Sequence, residues 1–374
     1  MRRVTTTRGF IPVIALAVSA WALSVPASAQ AMGGGGGGGG GGNAPSQLPV
    51  PCGDTAALIA AINAANSAPS GGTVALGTGC LYTLTDEAAT GANGPDGLPI
   101  ITGNVTLTGL GATIQRSAAA DNFRIAEVAA GGRLTVNNVT LSNGHATDAG
   151  ATDGGGVLVL GNLTMSRATV TGNTASNLGG GIEVASGATM KLSATNVTGN
   201  TAGDGGGIHI NTLGNALVSG GNISDNTAVN TGGGVANYGM TTLSSVTVER
   251  NETTNFEGGG VVTSTGPLTI SGSTIANNTA GSFGGGIANL GSTLNVSGTA
   301  VRDNTAALNG GGLFNHAGAT QLTGDFITRN TASGGPGSTG GGIFMDGGTV
   351  TLNSTMVLAN NPANCQPSIG TCTT

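Results

Sequence analysis

Aliphatic residues along positions 98–374 come in short runs that alternate with polar ones, and the runs recur at a nearly fixed interval. Ile182-Glu-Val-Ala185, Met190-Lys-Leu192 and Val197 make up one such unit, and Ile208-His-Ile-Asn211 opens the next. Alternation of period two sends one set of side chains inward and the other outward. Each unit therefore predicts three short strands. The first follows a cluster of glycines, and the second is of the type Leu268-Thr-Ile270 or Leu294-Asn-Val296. The third carries Val170, Val197, Ile223, Val248, Ile275, Val301, Ile327 and Val357.

Two markers fix the interval. A glycine triplet followed by an aliphatic residue starts at Gly154, Gly179, Gly205, Gly232, Gly258, Gly284, Gly310 and Gly340, in steps of 25, 26, 27, 26, 26, 26 and 30 residues. An asparagine keeps pace at Asn173, Asn200, Asn226, Asn251, Asn278, Asn304, Asn330 and Asn360. Self-similarity at such a period means stacked units that bury their apolar faces only against one another. Helical repeats need longer stretches of 3.6-residue periodicity, and a left-handed hexapeptide helix needs a six-residue period; neither is present. The fold class expected is all-β, a right-handed parallel β-helix of about ten coils, the first two (98–147) without the triplet. The glycines are expected to form tight corners with positive φ. The asparagines are expected in left-handed turns, their amides bonded from coil to coil as a structural ladder, with Asn237, Asn289 and Asn315 as a partial second row.

The ends read differently. Arg2, Arg3 and Arg8 precede an apolar run from Phe10 to Val25, and Ala27-Ser28-Ala29 offers a cleavage site with Ala29-Gln30-Ala31 as the near alternative, so residues 1–31 read as an export signal. Ten consecutive glycines, Gly33 to Gly42, make residues 32–51 a flexible linker. Residues 52–97 read as an N-terminal cap: Asp54 can cap a short helix reaching Asn66, with Leu58, Ile59 and Ile62 on one face to cover the first coil. In an exported chain, four cysteines imply two bridges, and their positions at opposite ends favour Cys52 with Cys80 and Cys365 with Cys372. The domains expected are thus 1–31, 32–51, 52–97 and the β-helix 98–374.

Loss of the signal leaves eight basic residues against 17 acidic ones, a balance of −9. That argues against nucleic acid as a partner and against an anionic membrane. No spacing of His, Cys, Asp or Glu predicts a metal centre, and no motif predicts a cofactor.

Outward positions stack across coils. Asp225 faces Arg250, Asp303 faces Arg329, Glu183 faces His209 and His316 faces Asp346. Phe314 and Phe344 also stack, with Val262, Leu290 and Tyr238 on the same outward side, in a chain with only seven Phe and two Tyr. Phe314, Phe344, His316, Asp346, Tyr238 and Leu290 are therefore the candidate binding residues. No register position carries acids on consecutive coils, and no catalytic residue is assigned. A row of threonines (174, 201, 227, 279, 305, 331) suggests an ice-binding face, but Glu252 interrupts it.

From about residue 98 onward the chain resembles secreted bacterial right-handed parallel β-helix repeat proteins of the pectate-lyase-like superfold. Its Gly-Gly-Gly-aliphatic element is similar to the repeats of polymorphic outer-membrane proteins. The low charge, the regular coils and the Phe314/Phe344 patch point instead to a non-catalytic extracellular protein that binds a glycan, a surface or another protein along its flank. The alternative, implied by the resemblance to the superfold, is a polysaccharide lyase or glycoside hydrolase.

Overall fold

The structure is a computed structural model that describes residues 46–148, 150–335 and 339–372. The expected export signal and glycine run lie outside the described residues, as does part of the longer stretch 334–338. The described chain is a parallel β-helix of about 11 turns, with one helix.

Most coils visit three sheets. A face of ten strands includes the eight that follow the glycine triplets, such as Ile182–Val184 and Ile208–Ile210. A long face of 21 strands takes two strands from most coils, such as Thr189–Ser193 and Asn196–Thr198. These are the three expected strands. A narrow face of eight two-residue strands, Thr201–Ala202 among them, was not expected. Two residues are too short to show periodicity. The threonine row stands on this narrow face in register, interrupted by Glu252 as read.

The turn beyond the expected ten comes from upstream. β1 (Ser46–Val50), within the expected linker, pairs with β2 (Gly72–Leu76), and β2 and β3 (Leu81–Leu84) both pair with the strand Asn104–Arg116. The helix α1 (Thr55–Ser67) is capped by Asp54, whose carboxylate accepts from the Ala57 N–H at 2.8 Å. It buries Leu58, Ala61, Ile62 and Ala65, while Ile59 is half-buried. Cys52–Cys80 and Cys365–Cys372 are both bonded.

The two sequence markers are parts of one corner. Each triplet's first glycine has positive φ, +60° at Gly179 and +62° at Gly205. The other two serve close approach instead: a Cβ on Gly180 would strike the Thr201 carbonyl, and one on Gly181 would sit 3.0 Å from Asn200 Nδ2. The asparagine ladder thus lies directly beneath the triplet. Asn200 gives its backbone N–H and its Nδ2 to Asn226 Oδ1, both at 3.0 Å, and Nδ2 also to the Val170 carbonyl at 3.1 Å. The pattern repeats from Asn173 to Asn360. The left-handed residue is not the asparagine itself but its predecessor: Gly199, Asp225, Arg250, Asp303 and Arg329. Because the asparagine side chain must reach inward to the next coil, the reversal falls one residue earlier.

Inward side chains form one continuous core from Val50 to Ile369. Within it Asn237, Asn289 and Asn315 are fully buried. Asn237 Nδ2 bonds Thr263 Oγ1 at 3.0 Å, and Asn289 Nδ2 bonds Asn315 Oδ1 at 3.1 Å. Outside, Arg250 and Arg329 each clasp an aspartate bidentately, Asp225 (2.8 and 3.0 Å) and Asp303 (2.7 and 2.9 Å). No helix among the described residues is long and apolar enough to cross a membrane.

Candidate functional site

The ten-stranded face brings most of the chain's distinctive side chains into one strip. Its outward row runs Glu127, Leu158, Glu183, His209, Ala236, Val262, Ala288, Phe314 and Phe344, each in register with the next. Most of this row is buried although it points away from the core. The cause is the corner described above. The left-handed first glycine turns the preceding segment back over the sheet, so close that a Cβ on Gly154 would lie 2.8 Å from Leu158 Cα. The residue before each triplet therefore overhangs the row, and Asp153, Asp204, Glu257 and Phe283 occupy this position on different coils.

That geometry corrects the reading of the aromatic patch. Val262 and Phe314 are not exposed; Phe314 is only 5 % accessible. Phe283, from the overhanging position, stacks on Phe314 with ring centroids 4.7 Å apart and planes 19° apart. Phe344 continues the stack at 6.0 Å and 13°. Tyr238, Leu290, Phe283 and Phe344 are half-buried against the Ala236, Val262, Ala288 and Phe314 cluster. His316 and Asp346 are exposed and paired, Nδ1 to Oδ2 at 3.0 Å. Phe283 was legible only as the residue preceding a triplet, a position the aliphatic alternation does not mark.

The other half of the strip is charged. Glu183 and His209 meet as expected, Oε2 to Nδ1 at 2.7 Å, at 2 % and 4 % exposure. Burial pushes the Glu183 carboxyl up from its ordinary value, against the pull of His209. The His209 ring lies 5.2 Å from that of Tyr238. Beyond Leu158, Arg124 gives Nη1 to Asp96 Oδ1 (3.1 Å) and Glu127 Oε2 (3.4 Å), Nη2 to the Asn93 carbonyl (2.6 Å) and Nε to the Asp153 carbonyl (3.2 Å). Burial pushes the Asp96 carboxyl up to about 7, opposed by Arg124 and reinforced by Glu127. One Asp96 oxygen, Oδ2, is buried without a partner. None of these three was singled out from the sequence, although Ile125-Ala-Glu-Val128 aligns Glu127 with Glu183.

Between the two charged groups lies a recess of about 140 Å³, lined by Arg124, Asp153, Glu183 and Asn211 and walled by the stretch that includes Gly150 and Thr152. A carboxylic acid beside a base can move a proton, but here Glu183 is closed onto His209, Asp96 and Glu127 share Arg124, and the recess is small. No three His, Cys, Asp or Glu side chains among the described residues are placed to hold a metal ion.

No family model matches the chain, and no curated protein does. Among solved structures it is similar to the A-module of the mannuronan C-5 epimerase AlgE6 of Azotobacter vinelandii, at 17% identity and a TM-score of 0.42, over 83% of this chain and 98% of that one.

Proposed function

We propose that the chain is an exported, non-catalytic β-helix protein that holds a glycan or another chain of an extracellular surface along this strip. The reading rests on the near-parallel ring stack of Phe283, Phe314 and Phe344. Two of its members leave ring surface open, and Leu290 and Tyr238 extend the apolar area along the same face. Flat aromatic surface flanked by polar groups suits the apolar face of a sugar ring or an extended chain, and it involves no chemistry. The export pattern at residues 1–31 and the two disulfides support an extracellular setting.

The test is binding of the mature protein to an array of extracellular glycans, run beside a depolymerisation assay. Phe344→Leu, which keeps apolar packing and removes the flat ring, is expected to weaken binding about tenfold. Its unfolding midpoint should stay close to that of the wild type. Failure to bind any glycan or surface protein, or binding indifferent to Phe344 and Phe283, would remove this reading.

A polysaccharide lyase or hydrolase is favoured by one observation, the recess where Asp153, Glu183 and Arg124 meet. Depolymerisation abolished by Glu183→Gln would put that reading first.

A further inference from the structure

The corners leading from the ten-stranded face to the long face differ in length. Ala129–Gly132, Ala185–Ala188 and Asn211–Gly214 each use four residues, whereas Tyr238-Gly239 turns with two. The short corner leaves a notch of about 340 Å³ between the neighbouring corners, walled by Leu213, Met240, Pro267 and Tyr238 and edged by Thr212 and Asn215.

Leu213 is the outlier. Its φ is +65°, a region that costs an L side chain about 1–2 kcal/mol. The equivalent corners place Gly131 and Gly187 there, at +83° and +79°. Leu213 is 78 % exposed, so no packing compensates for the strain, and Met240 beside it is 57 % exposed. Left-handed residues also precede the ladder asparagines, where the corner sets them; at Leu213 the strain comes with an apolar side chain exposed at the edge of the notch.

The lining also restricts the ligand. It carries no charge, so an ionic group would find no counter-ion. A plain hydroxyl would leave the leucine, methionine and proline walls against water. A group that joins a methyl to an uncharged amide satisfies both walls and edge. Tyr238 lines the notch and also belongs to the strip, so a chain lying along the strip can project a substituent into it.

We propose that the notch is a subsite for the acetamido group of an N-acetylated hexosamine unit, its methyl against Leu213, Met240 and Pro267 and its amide toward Thr212 and Asn215. This proposal rests on the glycan-binding reading above.

The test compares two uncharged oligosaccharides that differ only at C2, a β-1,4-linked N-acetylglucosamine hexamer and a β-1,4-linked glucose hexamer, by calorimetry on the mature protein. The acetamido hexamer should bind about tenfold tighter. Leu213→Gly should erase that preference while its unfolding midpoint stays equal or rises, because glycine relieves the strain. Equal affinity for the two hexamers, a preference that survives Leu213→Gly, or no binding of either overturns the subsite. The broader reading is decided separately, by the array and by Phe344→Leu.

Discussion

Asn278→Ala is expected to cost about 3–5 kcal/mol of stability, as is the same change at any interior asparagine of the ladder. Asn278 is fully buried. Its Oδ1 accepts from the Asn251 N–H and from Asn251 Nδ2, both at 3.0 Å, and its Nδ2 donates to the Val248 carbonyl at 3.0 Å and to Asn304 Oδ1 at 2.9 Å. Alanine takes a partner from groups on both flanking coils, Asn251 and Val248 on one and Asn304 on the other, in a place where the third glycine of the triplet leaves little room for water: a Cβ on Gly260 would lie 3.0 Å from Asn278 Nδ2. Each buried orphan costs about 1–3 kcal/mol, and partial relaxation keeps the total below the full sum. Asn295→Ala is the control, since Asn295 is exposed on the long face, and it should change stability by less than about 0.5 kcal/mol. Urea unfolding followed by circular dichroism reads both. A solenoid holds together through neighbour contacts, so the Asn278 variant should also broaden or split its transition as the two halves uncouple. A loss below about 1 kcal/mol would mean that the ladder is ornament on a core that needs only its aliphatic rows.

The spacing of triplets and asparagines was enough to read the coil, because both markers serve one corner and so recur together. What each glycine does was not legible. Positive φ at Gly179 and carbonyl contact at Gly180 leave the same letter in the sequence. The first coil was missed for a related reason: Gly72–Leu76 and Leu81–Leu84 carry neither marker and sit beside a helix, so they read as cap. The site was half legible. The outward pairs Glu183 with His209 and Phe314 with Phe344 followed from register alone. Their burial did not, because it depends on a corner folding back over the sheet, which alternation cannot show. Arg124 escaped notice since it lies in a coil without the triplet and draws its partners from Asp96, Glu127 and two backbone carbonyls. Leu213 looked like any loop leucine until its φ placed it where neighbouring corners use glycine.

Asp96→Asn is expected to stabilise the protein at pH 8 by about 2–4 kcal/mol and to leave it nearly unchanged at pH 4. Asp96 is fully buried and shares Arg124 with Glu127. One guanidinium beside two carboxylates leaves a net negative charge out of water once both ionise. The Asp96 carboxyl, raised from 3.8 to about 7, is the one that holds its proton. A folded-state value above the unfolded one means that the folded protein binds this proton more tightly. The resulting stability is fully present below about pH 4 and is lost as pH rises through 7. An interval of about three pH units corresponds to roughly 4 kcal/mol, an upper figure because the buried group can relax. Asparagine keeps an oxygen for Arg124, removes the titration and puts an N–H₂ near the orphaned Oδ2 position. Glu183 and Glu257, also raised by burial, shift wild type and variant alike, so the difference between the two isolates Asp96. Denaturant midpoints at pH 4, 6 and 8 should therefore converge at the acid end and separate steadily toward pH 8, with the variant above. Parallel curves would show that Asp96 does not titrate in this interval. A variant less stable at every pH would show that Arg124 needs both carboxylates ionised, and the charged half of the strip would then be an ion-pair network rather than a proton-holding one.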